Sequence, residues 1–232
     1  GDKIMGVLTR LVLVSMLFGC TPVDCDIDRL PTFESIEHVS LFNSGLEHRS
    51  RNAAVKIVSF DAWGNKISGS GAYVTYKGEH YILTAAHVVD GSPTAMITGD
   101  KEIIIGDVVF MDSYSDVALV SIAGMMTKEP VRWRVARQHN IGDEIIYSGY
   151  PNSMGLLTIK GYIAGHDGFM TVVHSYIWKG ASGSLVLDRH GKIVGVVSAV
   201  SVGTDLTNFP TIIEDIGLIV PVGAAEEFLK DR

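Results

Sequence analysis

The sequence predicts an all-β fold, either a sandwich or a pair of barrels. From Asn52 onwards, short apolar-alternating runs are separated by turn residues, a spacing typical of these architectures. Helical periodicity is scarce until residues 223–230, where apolar residues recur on one face. Hydrophobic residues make up 47% of the 232-residue chain and charged residues 19%, so a large core is available. We therefore expect strands to carry the fold and one short helix to end it.

The predicted strands form two series, one on each side of Glu129. We expect residues 51–128 to form an N-terminal β domain, and residues 129–232 a C-terminal β domain that includes the terminal helix. The first series covers residues 53–60, 68–76, 79–85, 103–111 and 117–122. The second covers residues 131–136, 144–149, 156–164, 169–177, 184–187, 193–200 and 216–220.

Residues 1–20 have the pattern of a secretory signal. Arg10 supplies a positive flank, and the apolar run 11–18 is too short to span a bilayer comfortably. The tetrapeptide ending at Cys20 resembles the lipobox of bacterial lipoproteins, although Phe18 replaces the small residue that this pattern prefers. We expect an exported protein, periplasmic or attached to a membrane through a lipidated Cys20. An ordinary signal peptide and a retained N-terminal helix are the alternatives.

Residues 21–50 are polar and irregular and contain Pro22, Pro31 and Gly45. This composition indicates a linker, or a segment that wraps the domain, with one short helix near residues 33–42. It carries no recognisable chemistry.

Composition excludes several function classes. The net charge is −7 and no basic run is sustained, so nucleic acid is not an expected partner. The two cysteines, Cys20 and Cys25, both precede the β region, so the fold should not depend on disulfides. They are too few for a zinc site, which needs three or four protein ligands. We expect neither a metal nor a cofactor.

Three positions carry the candidate chemistry. Ser182 lies between Gly180 and Gly183 with strand patterns on both sides, as expected for a nucleophile on a tight turn. His87 follows a strand in small, apolar surroundings, where a base can be held with one ring nitrogen free. Asp116 opens an apolar run, and a buried carboxylate needs a partner. Each position taken alone has a commoner structural explanation.

The order of these motifs resembles the trypsin-like serine endopeptidases. The chain has Thr-Ala-Ala-His ending at His87, then Asp-Val-Ala-Leu from Asp116, then Gly-x-Ser-Gly around Ser182. The short intervals are more similar to the compact HtrA/DegP branch, and we expect a protease domain without a PDZ-type extension. The resemblance covers about residues 52–230 and includes the G-S-G of residues 69–71. It implies two packed six-stranded antiparallel barrels of the chymotrypsin-like type, over 51–128 and 129–232, with a short C-terminal helix.

The resemblance also implies the roles of the site residues. Ser182 would attack a peptide carbonyl, His87 would take and return the proton, and Asp116 would orient the imidazole. The backbone N–H groups of Gly180 and Ser182 would form the oxyanion hole. The strand segment Ser198, Ala199 and Val200 would bind the substrate backbone. The expected partners are proteins or peptides as substrates.

Two further residues bear on specificity by the same resemblance. Tyr176 would lie near the base of the primary pocket, and Val200 replaces the glycine of enzymes with deep pockets. A branched side chain should make the pocket shallow, so we expect small or medium apolar residues before the cut. His174 could instead line the pocket, although a strand residue facing a neighbour is the simpler interpretation.

The nucleophile loop departs from the family pattern at two points. Ala181 replaces the acid that pairs with a new N-terminus in secreted digestive members, so we expect no activation of that kind. The loop would then be held by packing or by bound substrate. Ser184-Leu185 replaces the usual Gly-Pro, which affects the local loop geometry rather than the chemistry.

Three alternative functions remain open on the sequence. A protease fold that no longer cuts could bind extended peptides by β-addition along residues 198–200. A viral or phage maturation protease would use the same chemistry on other substrates. A lipase or esterase would need an α/β fold with the histidine last in the chain, and both the order and the strand pattern argue against it.

Overall fold

The computed structural model describes residues 45–204 and 210–232. The predicted signal segment, Cys20 and most of the predicted linker therefore lie outside the described residues. None of the helices described is long and apolar enough to cross a membrane.

Six strands close the first barrel in the order β1-β4-β5-β6-β3-β2, because β2 pairs with both β3 and β1. A seventh strand, β7, pairs in parallel with Val74 and Thr75 of β2, beyond the residues of β2 that pair with β1. The neighbours within the barrel are antiparallel. The strands are β1 Ala54–Phe60, β2 Lys66–Tyr76, β3 Glu79–Thr84, β4 Thr94–Thr98, β5 Ile103–Asp112, β6 Val117–Ile122 and β7 Val131–Arg132.

The second barrel closes in the order β10-β13-β12-β11-β8-β9, again with antiparallel neighbours. The two six-stranded barrels and the short terminal helix confirm the predicted fold class. The strands are β8 Glu144–Gly149, β9 Leu157–Asp167, β10 Met170–His174, β11 Leu185–Asp188, β12 Ile193–Thr204 and β13 Pro210–Val220. The helices are α1 Gly45–Ala53, α2 Ala86–Val89 and α3 Gly223–Lys230.

Strand β4 and helix α1 were not predicted from the sequence. Strand β4 has only five residues between the turn residues Gly91 to Pro93 and Gly99, so its pattern was too short to detect. Helix α1 occupies the end of the predicted linker. Its first-turn Glu47 pairs with Lys160 of β9 at 2.6 Å, and its Arg51 donates to Thr158 at 2.9 Å. Helix α1 thus contacts strand β9, which is distant in sequence, and local sequence patterns do not predict such contacts.

One apolar cluster extends across both barrels. It joins buried side chains of the first barrel, such as Leu83 and Leu119, to Leu185, Leu187 and Val196 of the second. Burial of apolar side chains is the dominant stabilising contribution to the folding of such a domain. The shared core fixes the two barrels against each other, and with them the loops that carry the candidate site.

Candidate active site

The predicted site residues come from connections in both barrels. His87 lies in α2, a single helical turn directly after β3, and its neighbours Ala86 and Val88 are buried. Asp116 precedes β6, after the turn that ends β5. Ser182 lies in the connection between β10 and β11. Strand ends therefore present all three residues to one region.

Asp116 binds His87 at two points. One carboxylate oxygen accepts the backbone N–H of His87 at 3.0 Å, and the other lies 2.9 Å from Nδ1 of the ring. Because Nδ1 faces a carboxylate, the network assigns the ring proton to Nδ1 and leaves Nε2 as an acceptor. The His87 side chain is 49% exposed, so the free nitrogen is accessible. This tautomer is the one that a general base requires.

The environment of Asp116 keeps the carboxylate ionised. Burial raises the pKa of Asp116, but hydrogen bonds from the His87 side chain, the Ser198 hydroxyl and the His87 backbone outweigh it, so the pKa lies below 3.8. Asp116 has a φ of +51°, in the left-handed region that aspartate tolerates better than most residues. The turn thereby directs a charged group at His87.

Ser198 connects Asp116 to Ser182. Its hydroxyl donates to Asp116 at 2.5 Å, and its carbonyl accepts the Ser182 hydroxyl at 3.2 Å. The register of β12 against β13 shifts between Val197 and Ala199, so Ser198 lies at an irregularity that can redirect its groups. In the described part of the chain, no hydrogen bond joins Ser182 Oγ to the His87 ring. The structure thus brings the three predicted residues together through Ser198, a residue that the sequence assigned only to substrate binding.

The backbone around Ser182 leaves two N–H groups unused. Gly180 has a φ of +92°, which favours glycine, and the carbonyl before it, of Lys179, accepts the Asn152 N–H at 2.5 Å. The Ala181 carbonyl accepts the Ser184 N–H at 2.9 Å. Among the described residues, neither the Gly180 nor the Ser182 N–H has an acceptor. Two free amides beside a hydroxyl are what an oxyanion hole needs.

Sequence reasoning missed the role of Ser70, a fully buried residue of β2. Its hydroxyl donates to the Gly180 carbonyl at 2.7 Å, and its N–H donates to the Ser182 carbonyl at 2.8 Å. The loop is therefore held by hydrogen bonds as well as by packing, which corrects the expectation from Ala181. The G-S-G pattern marked the position, but the contact spans about half the chain and is invisible to local sequence.

Tyr176 and His174, the two aromatic residues predicted to bear on specificity, lie in different surroundings. Tyr176 is 47% exposed and stacks on Trp178 with ring centroids 5.9 Å apart. The buried Tyr147 hydroxyl donates to the Tyr176 carbonyl, and burial raises the pKa of Tyr147 above its usual range. His174 stacks on Tyr162 of β9, as a strand residue facing its neighbour would.

The backbone of Ala199 and Val200 belongs to β12, and Val200 is paired with Gly217 of β13. The side chains of Ala199 and Val200 are outside the described set. Beside this pair lies the buried Ile177, whose Cδ1 is 2.0 Å from where a Gly217 Cβ would stand. Ile177 thus fills the space over Gly217, and sequence reasoning did not single it out.

The described residues contain no cluster of three or more histidine, cysteine, aspartate or glutamate side chains that could hold a metal ion.

The chain is similar to known proteases in sequence and structure. The family model described as trypsin-like peptidase domain matches residues 69–196, more than half of the chain. A Serine protease HtrA-like protein of Staphylococcus haemolyticus is 26% identical over 188 residues, covering 72% of this chain and 28% of the relative. Its counterpart in Staphylococcus aureus strain USA300 is 27% identical over 186 residues, covering 70% and 23%. The chain thus spans about a quarter of the length of these relatives.

Two solved structures share the fold. The serine endoprotease from Yersinia pestis superposes with a TM-score of 0.64 at 22% identity, over 80% of this chain and 64% of that one. A protease from M. tuberculosis in its active form gives 0.63 at 20% identity, over 82% and 85%. At these identities the likeness shows the architecture of two barrels.

Proposed function

The chain belongs to the trypsin-like peptidase domain family, and we propose on this premise that it is a serine endopeptidase. Ser182 is the nucleophile, His87 the general base and Asp116 the acid that orients the base. The observation that carries the proposal is the geometry around Asp116, which fixes His87 with Nε2 free, while Ser182 lies beside two unused amides. Protein or peptide substrates follow from this assignment.

The reaction proceeds in two half-reactions. Ser182 Oγ attacks the scissile carbonyl while its proton passes to Nε2 of His87, and Asp116 stabilises the resulting imidazolium. The carbonyl oxygen becomes an oxyanion that the Gly180 and Ser182 N–H groups bind. His87 then gives the proton to the leaving amine, and water repeats the sequence on the acyl-enzyme. The Ser182 hydroxyl must first turn from the Ser198 carbonyl towards His87, a rotation about one side-chain bond.

The substrate backbone lies along residues 198–200 of β12. Strand β11 pairs with β12 only up to Val196, so the segment beyond it has one edge not taken by β11. An extended peptide can add to such an edge through main-chain hydrogen bonds. The segment also contains Ser198, whose carbonyl touches Ser182. Peptide addition there would bring a scissile bond next to the nucleophile.

The residue before the cut is small or medium and apolar. Support comes from Ile177, which fills the space over Gly217, the strand partner of Val200. An apolar side chain at this place shortens the predicted primary pocket and offers no charge to bind Lys or Arg. The sequence supports the same conclusion through Val200.

The decisive comparison is proteolysis by the full chain and by Ser182→Ala. Unfolded casein and a peptide library are incubated with each protein, and products are identified by mass spectrometry. We expect the wild type to cut, mainly after small or medium apolar residues, and Ser182→Ala not to cut. Equal cleavage by both proteins would refute the assignment of Ser182, and cuts mainly after arginine would refute the specificity.

A second candidate function is a peptide-binding module that does not cut. The observation that favours it is the Ser182 hydroxyl, which bonds to Ser198 rather than to His87. In that case both proteins above would bind casein-derived peptides with equal affinity, and neither would release products.

A further inference from the structure

We propose that Ser70 is a positioning residue that holds the Ser182 loop with its oxyanion amides directed into the cleft. The inference rests on the proposed peptidase function and names the residue that keeps the machinery assembled. Ser70 belongs to β2 of the first barrel, whereas the loop it contacts belongs to the second.

Ser70 uses every polar group it has on this region. Its hydroxyl donates to the Gly180 carbonyl at 2.7 Å and accepts the Tyr150 N–H at 2.9 Å. Its backbone N–H donates to the Ser182 carbonyl at 2.8 Å, and its carbonyl accepts the Thr84 hydroxyl at 2.8 Å. The residue is fully buried, so water does not compete for these bonds. Buried polar groups of this kind are costly to leave unpaired.

Ser70 holds the Gly180 and Ser182 carbonyls, which belong to the peptides directly after the two oxyanion amides. A trans peptide directs its N–H opposite to its carbonyl, so fixing one group fixes the other. The Gly180 carbonyl is held by the Ser70 side chain, and the preceding Lys179 carbonyl by the Asn152 N–H at 2.5 Å. Rotation of the peptide that carries the Gly180 N–H would break the Lys179–Asn152 bond, and Ser70 fixes the next peptide, which carries the Gly180 carbonyl and the Ala181 N–H.

Ser70 also contacts the segment 150–152, which holds the Lys179 carbonyl. The Tyr150 N–H that it accepts belongs to the segment that includes Asn152, which itself holds Lys179. Removing the Ser70 hydroxyl therefore loosens the loop directly at Gly180 and indirectly through residues 150–152. No other side chain in the described part of the chain donates to a carbonyl of residues 179–183.

The need for such a support follows from Ala181. Its methyl group is fully buried and provides no carboxylate to anchor the loop by an ion pair. The loop instead packs closely against β2. The Gly183 backbone lies so near Ser70 that a Cβ on Gly183 would be 2.0 Å from the Ser70 carbonyl. Thr84, three residues before His87, bonds to that same carbonyl. One residue thus links the strand that presents the base to the loop that presents the nucleophile.

The test compares Ser70→Ala with the wild type in the full chain. The oxyanion amides act on the transition state, so a misdirected loop lowers kcat and leaves KM nearly unchanged. We expect kcat to fall about 10- to 100-fold, up to the effect of losing one oxyanion donor. The rate of covalent labelling by a fluorophosphonate, which also forms an oxyanion, should fall in parallel.

Ser50→Ala is the matched control. Ser50 is also a buried serine, and its hydroxyl donates to Ser148 at 2.8 Å without touching the Ser182 loop. It should lose stability like Ser70→Ala but keep kcat. Should Ser70→Ala not fold, Ser70→Cys, which provides a weaker donor of similar shape, is measured in the same way.

The outcomes separate the two proposals. A folded Ser70 variant with wild-type kcat and labelling rate would overturn the inference while the peptidase function stands. An equal fall of kcat in Ser50→Ala would also overturn it, because the effect would then be general. A wild type that neither cuts nor labels would overturn the proposed function, and the inference with it.

Discussion

Asp116 is the residue through which the candidate site is assembled, because it bonds to His87 and Ser198 together. The sequence predicted Asp116 from its position ahead of an apolar run. The second partner could not be predicted, since Ser198 lies 82 residues away and local patterns do not report distant contacts. The stability of the site therefore depends in part on the Ser198 hydroxyl, which lies outside the three sequence motifs.

Ser198→Ala should destabilise the protein at neutral pH and less so in acid. A hydrogen bond to an ionised group contributes about 1.5–3 kcal/mol, and one to a neutral group about 0.5–1.5 kcal/mol. The loss in unfolding free energy should therefore be roughly 2 kcal/mol at pH 7 and shrink as Asp116 takes up a proton. Denaturant unfolding of both proteins from pH 7 to pH 3 measures the difference.

The direction of this pH effect follows from proton binding. Folding lowers the pKa of Asp116 below 3.8, so the unfolded chain binds more protons in this range than the folded chain. The contribution of Asp116 is thus fully present well above pH 3.8, decreases as the pH falls below the unfolded-state pKa, and is lost as the pH falls through the folded-state pKa. A difference between the two proteins that grew towards pH 3 would contradict this account.

Ser184→Ala should leave the unfolding free energy unchanged or raise it by about 1 kcal/mol. The Ser184 hydroxyl is fully buried and has no partner in the described chain. Removing an unsatisfied buried polar group avoids its desolvation cost. Thermal unfolding provides the measurement. The control is Ser50→Ala, which loses the hydrogen bond from Ser50 to Ser148. A loss above 1 kcal/mol would show that the hydroxyl has a partner, such as bound water.

Ile177→Val should widen the primary pocket slightly. The change removes one methylene beside Gly217, and one methylene in an apolar pocket changes selectivity by about tenfold or more. We expect kcat/KM for Leu or Met before the cut to rise relative to Ala. Stability should fall by about 0.5–1.5 kcal/mol, as for other buried Ile→Val changes. An unchanged cleavage profile would place Ile177 outside the pocket.

At the scale of elements, long and regular patterns were predictable and short or tertiary ones were not. Helix α3 was predicted with its observed bounds, because its apolar residues share one face. The run 131–136 forms a strand only at Val131–Arg132, beside β2, and then makes a single bridge from Val135 to Ile193 of β12. Helix α1 has a mostly polar sequence and lies against β8 and β9. Its formation reflects tertiary contacts more than local propensity.

At the scale of the whole molecule, the order of three motifs predicted both the fold, which the two barrels confirm, and the candidate site, which stays a prediction. The structure places His87, Asp116 and Ser182 in connections at strand ends of the two barrels. The contacts that hold the Ser182 loop in place could not be predicted from the sequence. They join β2 of one barrel to a loop of the other, and only the packed structure brings Ser70 to Gly180.

The cellular location is a proposal from residues 1–20, which lie outside the described part of the chain. Expression of the full-length sequence in a Gram-negative bacterium should yield a membrane-associated product that begins at a lipidated Cys20. Cys20→Ser should release it or leave it unprocessed. Intact-mass analysis distinguishes these forms, and an unmodified, uncleaved N-terminus would contradict lipidation.

The central claim is that Ser182 is a nucleophile activated by His87. The most direct measurement is labelling of the full chain with a fluorophosphonate, followed by peptide mapping of the modified residue. We predict one covalent adduct, on Ser182, absent in Ser182→Ala and slowed at least a hundredfold in His87→Ala. Failure of the wild type to label, or labelling that is indifferent to His87, would contradict the claim.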